Sequence, residues 1–371
     1  MKVPYFDLSR QHQKLASQAQ EAFERIFQSG AYILGPALKE LETEFAAYIG
    51  TKYALGVGSG TDALIFALRA LGIKKGDEVI VPSFTFTSTA LAVLHVGATP
   101  VFADVEESTF NLDPKSVVQA LSRKTRAILP VHLFGLCAHM TALMKIARKN
   151  NLKVVEDACQ AHGALWKKGM AGAFGDAGCF SFYPTKNLGG IGDGGMVTTS
   201  DKELCNRVIQ YRNLGKGIVD PFVHDEIGWT SRLDSIQAAF LSIKLKFLDA
   251  LNRERRAVAE RYHKKLAGLP LGLPKEPASA YHVYHLYVVR VPNGERDALK
   301  THLAADGIPT MVHYATPVHA QPIMKNYKTR KVALPVTEKL RDEVLTLPLF
   351  PGMTGQEVDA VAQSIRRFYK D

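Results

Sequence analysis

From about residue 52, short apolar runs alternate with longer stretches in which apolar residues recur every three or four positions. YALGVG precedes TDALIFALRAL, and DEVIVP precedes a stretch through Val96; TPVFADV and RAILPVHL lead to MTALMKIARKN and then KVVEDA. The short runs fit strands buried on both faces and the longer ones fit crossover helices, which predicts a mostly parallel sheet with helices on both sides. GCFSF and GMVTTS read as two more strands, followed by a helix from Asp201 to about Arg212.

The pattern changes near Ser231. In SRLDSIQAAFLSIKLKFLDAL, the residues Leu233, Ile236, Phe240, Ile243, Phe247 and Leu251 fall at helical spacing. They predict one long helix, with Ser231 and Asp234 as a capping box, that bridges two domains. LGLPKEPASAYH reads as a connection. Beyond it YHLYVVRV, ERDALKTHLAADG and EVDAVAQSIRRFYKD predict a smaller α/β domain. The expected division is a large domain over 1–250 and a small one over 251–371, with the N-terminal segment packing on the small domain. There is no internal repeat and no low-complexity segment.

At 371 residues and 46% hydrophobic content the chain can bury more than one core. MKVPYFDLSRQHQ lacks a signal-peptide apolar stretch, and no run approaches the roughly 20 apolar residues of a membrane span. A cytoplasmic protein without a membrane partner is expected. Cys137, Cys159, Cys179 and Cys205 are widely spaced and lie among apolar neighbours, which predicts reduced, mostly buried thiols. The formal charge of +10 is scattered in small groups: Lys74-Lys75, Lys167-Lys168, Arg253 to Arg256 and Lys325 to Lys331. Such groups suit a solvated surface or an anionic small substrate better than nucleic acid.

Candidate chemistry centres on SFYPTKNLGGIGDGG. A carbonyl cofactor that forms an imine needs an amine nucleophile, and Lys186 follows an apolar strand amid Ser181, Tyr183, Thr185 and a glycine-rich turn. Taken alone, a lysine before glycines is usually a solvated loop residue. In VVEDACQAHGA an apolar strand ends on Asp157, followed by Gln160 and His162, and ligands bind at strand ends in open α/β sheets. A carboxylate there suits a pyridinium nitrogen, or it simply caps the next helix. GVGSGTDAL turns from strand into helix and offers Gly58, Gly60 and Thr61 to a phosphate at the helix N-terminus. In PSFTFTSTA, Phe84 or Phe86 can stack on a flat heterocycle, although core packing is the commoner fate of such rings. No metal is expected.

The joint order of these features is what gives them weight: glycine turn, aromatic after a strand, Asp at a strand end, and Lys186 29 positions (186 − 157) beyond that Asp. Together with FDLSRQHQ, SGAYILGPALKELETEFAAYIG, NLDP, SRLDSIQAA and VHYATPVHAQP, they make the chain resemble the DegT/DnrJ/EryC1/StrS family of pyridoxal-phosphate sugar aminotransferases over nearly its whole length. The resemblance implies the type I aminotransferase fold and a homodimer with shared active sites. It also implies pyridoxal 5′-phosphate, alternating with its pyridoxamine form. In it Lys186 would carry the cofactor as a Schiff base, Asp157 would hold the pyridine nitrogen, Gln160 would lie near the ring hydroxyl and Phe86 would stack on the ring. Gly60, Thr61 and Ser181 would hold the phosphate, while Arg232, His313 and Tyr314 would approach the substrate.

One departure is visible, since Thr230 stands where relatives commonly carry an asparagine that reaches the neighbouring subunit's phosphate. A threonine hydroxyl still donates one hydrogen bond, with shorter reach. Family members that act as dehydrases carry histidine in place of the lysine, so Lys186 favours transamination. The implied reaction moves an amino group from glutamate to a nucleotide-linked keto-sugar. SGAYILGP and VHYATPVHAQP look most like members acting at C-3 of dTDP- or UDP-linked 3-keto sugars. The alternatives are amination at C-4 and a non-catalytic cofactor- or nucleotide-sugar-binding regulator.

Overall fold

The computed structural model describes residues 2–220, 222–327, 329–330 and 332–370. Seven strands form its main sheet: β1 (Tyr53–Val57), β2 (Glu78–Pro82), β3 (Thr99–Ala103), β4 (Thr125–Ile128), β5 (Lys153–Asp157), β6 (Ala177–Ser181) and β7 (Gly195–Thr199). Their spatial order is β1-β7-β6-β5-β4-β2-β3. β7 runs antiparallel to both β6 and β1, and the remaining pairs are parallel. Nearly every residue of these strands is buried, because apolar layers cover both faces. One layer contains Phe45, Ile80, Ile128 and Phe180, and the other Leu64, Phe66, Val81 and Val155. The expected α/β architecture with a mostly parallel sheet is therefore present.

Local chemistry sets the ends of these elements. β2 stops at Pro82, which has no N–H for a ladder. The helix Lys202–Arg212 starts where Asp201 accepts from the N–H groups of Glu203 and Leu204. Residues 280–281, inside the expected connection, add a short strand to a hairpin of Leu165–Trp166 and Gly169–Met170. That pairing joins distant segments and leaves no periodic trace in the sequence.

The single long helix expected after Ser231 is instead two, Ser235–Leu245 and Leu248–Leu266. The chain bends because Phe247 N–H bonds to Lys244 O at 3.0 Å, three residues back rather than four. Phe247, expected on the buried stripe, is 38% exposed. The capping box is not formed either. Asp234 caps the first helix alone by accepting from Gln237 N–H at 2.8 Å, and Ser231 is engaged elsewhere.

A second core gathers Val258 and Tyr262 from the Leu248–Leu266 helix, Tyr287 and Val289 from the strand Tyr287–Arg290, Leu345 and Leu347 from the strand Val344–Leu347, and Val358 and Ile365 from the helix Gly355–Phe368. Val3 belongs to it and Phe6 packs against it. The Arg10 guanidinium ties this N-terminal segment down with two hydrogen bonds to Glu357, at 2.8 and 2.7 Å. Glu357 also completes a capping box with Thr354.

These contacts, Arg10 first, lower the Glu357 pKa from 4.5 to about 2. A depressed carboxylate pKa means that stability is present in full above about pH 4.5 and is lost as pH falls towards 2. Glu357→Gln is expected to cost about 2–3 kcal/mol at neutral pH. Denaturant melts at two pH values check this, with the gap to wild type narrowing below pH ~4.

Among the described residues no helix is long and apolar enough to cross a membrane. Cys137, Cys179 and Cys205 are buried, Cys159 is partly exposed, and all four thiols are free. Of the clustered basic residues, Lys328 and Lys331 lie outside the described residues. Arg255 corrects the surface reading of its cluster, for it is 1% exposed and donates to the main-chain oxygens of Tyr284 and His285.

Candidate active site

At the carboxyl ends of β5 and β6 lies a cavity of about 620 Å³. Gly60, Thr61, Phe86, Asp157, Gln160, Ser181, Lys186, His313 and Tyr314 all line it. Nine of the eleven residues to which the family resemblance gives a place in the site thus converge on one space.

Asp157 ends β5, where its N–H bonds to Pro130 O at 2.8 Å and its C=O accepts from His132 N–H at 3.0 Å. Its carboxylate is held from two sides, with Oδ2 accepting from the Thr89 hydroxyl at 2.8 Å and Oδ1 from Cys159 N–H at 3.2 Å. Glu156, its neighbour, points the other way and accepts from His132 and from the N–H groups of Gly172, Phe174 and Gly175. His162 does not reach the cavity: it is fully buried, and burial pushes its pKa down to about 3.

Lys186 lies on a loop tied at several points. Its N–H bonds to Tyr183 O, Gly190 N–H bonds to Phe182 O, and Gly189 O accepts from the buried Lys244 at 3.0 Å. Gly189 is required here, since a Cβ would sit 2.2 Å from Pro184 O. Burial lowers the Lys186 pKa, against the opposing pull of Cys159 and Asp157. The result is an amine more readily available as a neutral nucleophile and base.

The helix Gly60–Ala70 opens towards the same cavity, with Ser59 capping it by accepting from Asp62 N–H at 3.1 Å. Ser231, expected as a helix cap, buttresses this turn: Gly58 N–H donates to Ser231 Oγ at 3.0 Å, and Ser231 donates to Asp62 at 2.7 Å. A Cβ on Gly60 would lie 2.7 Å from the Cβ of Ser181 and 2.8 Å from the Sγ of Cys159. Gly60→Ala must push these groups apart, at a cost of about 1–3 kcal/mol, and is expected to weaken cofactor binding by roughly tenfold or more. Titration of the cofactor-free variant by absorbance checks it.

The two candidate aromatics separate cleanly. Phe84 is 0% exposed in the core, whereas Phe86 is 57% exposed with its ring bordering the cavity. Gln160 Oε1 accepts from Phe134 N–H at 2.9 Å, and Gln160 Nε2 donates to the Tyr314 hydroxyl at 3.0 Å. One amide hydrogen remains for a ligand. His313 Nδ1 is 2.9 Å from the Thr346 hydroxyl, and burial pushes its pKa down to about 4.

Thr230 and Arg232 are not in this cavity. Thr230 is exposed and bridges to Asn213, and Arg232 donates to Asn213 Oδ1 at 3.1 Å. The sequence reading missed Thr89, Tyr5, Phe6, Cys159, Met311 and His285, which hold Asp157 or line the cavity. Cys159 lies two positions from Asp157 and was within reach of the strand-end argument. Tyr5 and Phe6 arrive through long-range packing, which no local motif announces.

The residues fit pyridoxal phosphate. An amine, a fixed carboxylate, an open aromatic face and a helix N-terminus surround one space, and the Gly60 approach leaves the backbone free to meet a phosphate. The fold and the site define a pyridoxal-phosphate aminotransferase of type I architecture. The chain belongs to the DegT/DnrJ/EryC1/StrS aminotransferase family, whose profile it matches over residues 13–366.

It is 44% identical over 368 residues to the dTDP-3-amino-3,4,6-trideoxy-alpha-D-glucose transaminase of Streptomyces venezuelae, covering 99% of this chain and 96% of that one. It is 42% identical over 375 residues to the pleiotropic regulatory protein of Geobacillus stearothermophilus, covering 100% and 99%. The crystal structure of NtdA from Bacillus subtilis with bound PMP superposes with a TM-score of 0.92 at 33% identity, covering 100% of this chain and 86% of that one. The protein is a sugar aminotransferase, and its cofactor is pyridoxal 5′-phosphate.

Proposed function

We propose that this enzyme transfers an amino group from glutamate to C-3 of a dTDP- or UDP-linked 3-keto hexose, working as a cytoplasmic homodimer. The observation that carries the reading is the meeting of Lys186, Asp157, Gln160 and Phe86 around one cavity. The position on the sugar is supported by the name of the S. venezuelae relative, a transaminase of a 3-amino sugar.

When bound, pyridoxal phosphate supplies a carbonyl that takes up an amino group and a ring that accepts an electron pair. Asp157 would hold the pyridine nitrogen, since the Thr89 hydroxyl and Cys159 N–H fix its two carboxylate oxygens. Gly60, Thr61 and Ser181 would hold the phosphate, Phe86 would cover the ring, and Gln160, with one amide hydrogen free, would lie near the ring hydroxyl. Lys186 Nζ takes the α-proton of glutamate as base and returns a proton as acid, a dual role that its lowered pKa favours. His313 and Tyr314 face the sugar.

Support for the dimer is the exposure of large apolar side chains, including Phe27, Ile33, Phe222 and Ile227. Thr230 and Arg232, outside the chain's own cavity, then serve the partner's site. The two cores support a division into domains 1–250 and 251–371.

Adding glutamate to the cofactor-loaded protein tests the first half of the reaction. The visible band is expected to disappear as 2-oxoglutarate accumulates. A band indifferent to glutamate would remove the donor, and a monomer by light scattering would remove the shared site.

A further inference from the structure

Lys244 stands in the last turn of the helix Ser235–Leu245, where a lysine ordinarily reaches solvent and complements the helix dipole. Here it is 0% exposed. Burial first, and then the charge of Arg255, lower its pKa from 10.5 to about 7, so the site disfavours the charged amine. Among the described residues the one hydrogen bond of its Nζ runs to Gly189 O, at 3.0 Å.

Gly189 belongs to the loop of Lys186, and that loop is closed at its neck. Gly190 N–H bonds to Phe182 O at 2.8 Å, which leaves Lys186 midway between the two bonded residues. Lys186 N–H bonds to Tyr183 O at 2.8 Å, and Gly189 packs so closely on Pro184 that no Cβ fits between them. Just past the neck, Ile191 N–H donates to Gln237 Oε1 at 2.9 Å. A Cβ on Gly190 would lie 2.8 Å from the same Oε1, and one on Gly192 would lie 2.9 Å from Gln237 Nε2. Part of the glycine content of NLGGIGDGG thus serves the approach of Gln237. Gln237 and Lys244 are about two turns apart on one helix and project from the same face. That face grips the loop at Gly189 and at Ile191, on either side of the bond that closes the neck.

We propose that Lys244 and Gln237 are positioning residues for Lys186: their hydrogen bonds to Gly189 O and Ile191 N–H fix the neck of the loop, and with it the point from which the Lys186 side chain enters the cavity. This role rests on Lys186 being the amine that moves the proton. It gives the buried amine a function that an apolar side chain at 244 would not supply, since that chain would fill the space without holding a carbonyl.

Amide hydrogen exchange in the cofactor-free protein reads the grip without activity. In Lys244→Met the N–H groups of Lys186 and Gly190, whose acceptors Tyr183 O and Phe182 O are left in place, are expected to exchange roughly tenfold faster. Amides in the strands of the main sheet are expected to exchange as in wild type. The melting temperature is expected at or above that of wild type, because an apolar chain of similar length has replaced a buried amine. In the loaded enzyme, the rate of the glutamate half-reaction is expected to fall roughly 10- to 100-fold, with KM within about threefold of wild type. Gln237→Leu, at a half-buried position, is expected to repeat the pattern, and Gln237→Glu, which keeps an oxygen for Ile191 N–H, to stay within about twofold of wild type.

Unchanged exchange at Lys186 in Lys244→Met overturns the proposal. Faster exchange spread through the main sheet with a lower melting temperature also overturns it, for Lys244 would then be a part of the core and no more. Should Lys244→Met fail to fold, the Gln237 pair decides on the same readout, and an equal loss in its two variants sinks the idea. If Lys186→Ala stayed active while loop exchange responded, the function assigned to Lys186 would fall and the grip on its loop would stand.

Discussion

Lys186→Ala is expected to lower amino transfer by at least about 10⁴-fold, because one side chain supplies both the cofactor's covalent attachment and the group that moves the proton. Steady-state turnover with glutamate and a nucleotide-linked keto-sugar checks the size of the loss. Borohydride reduction followed by peptide mass spectrometry checks its cause. The wild-type peptide containing Lys186 gains the reduced cofactor, and the variant gains it at no other lysine. Stability should not suffer with activity. The amine is held in a site that disfavours its charge, so the cofactor-free variant is expected to melt at or above the wild-type temperature. A variant with normal turnover would sink the assignment, and one with a collapsed melting point would show Lys186 supporting the fold.

Asp157→Asn should cost nearly as much by a different route. The amide keeps the shape of the side chain and can still accept from Thr89, but it brings no charge to a pyridinium nitrogen. Removing one partner of a buried charge pair costs about 3–5 kcal/mol, on the order of 10²- to 10⁴-fold in rate or affinity. The loss should appear in the rate of the glutamate half-reaction and in weaker cofactor retention on dialysis. The covalent link to Lys186 should survive, which separates this variant from Lys186→Ala. Activity within threefold of wild type would mean that the carboxylate does not face the ring nitrogen.

Much of this site was legible in the sequence because its parts sit at strand ends. Asp157, Gly60 and Phe86 each follow an apolar run whose end falls on the ligand side of a parallel sheet. Phe86 and Phe84 show the limit of such reading, since residues two apart in an irregular segment can share a face or part company, and only the packing of Phe84 into the core decides. The break at Phe247 carries no proline or glycine to announce it and arises from a three-residue hydrogen bond.

Ser231 looked like a cap by spacing, but Gly58 and Asp62, more than 160 positions away, claimed its hydroxyl. His285 stood in the apolar lead-in to a strand, and its ring is held at Asn187, 98 positions away, which no local pattern links to it. The antiparallel course of β7 was hidden for the same reason, because strand direction in a sheet is set by the path of the chain and not by the residues of the strand.

The central claim is amination at C-3 of a nucleotide-linked sugar. Its most direct test is NMR of the products formed when the loaded enzyme and glutamate meet matched 3-keto and 4-keto sugar nucleotides. The account predicts a new amine-bearing carbon at C-3 from the 3-keto substrate alone. Amination confined to C-4, or none with any nucleotide sugar, would contradict it.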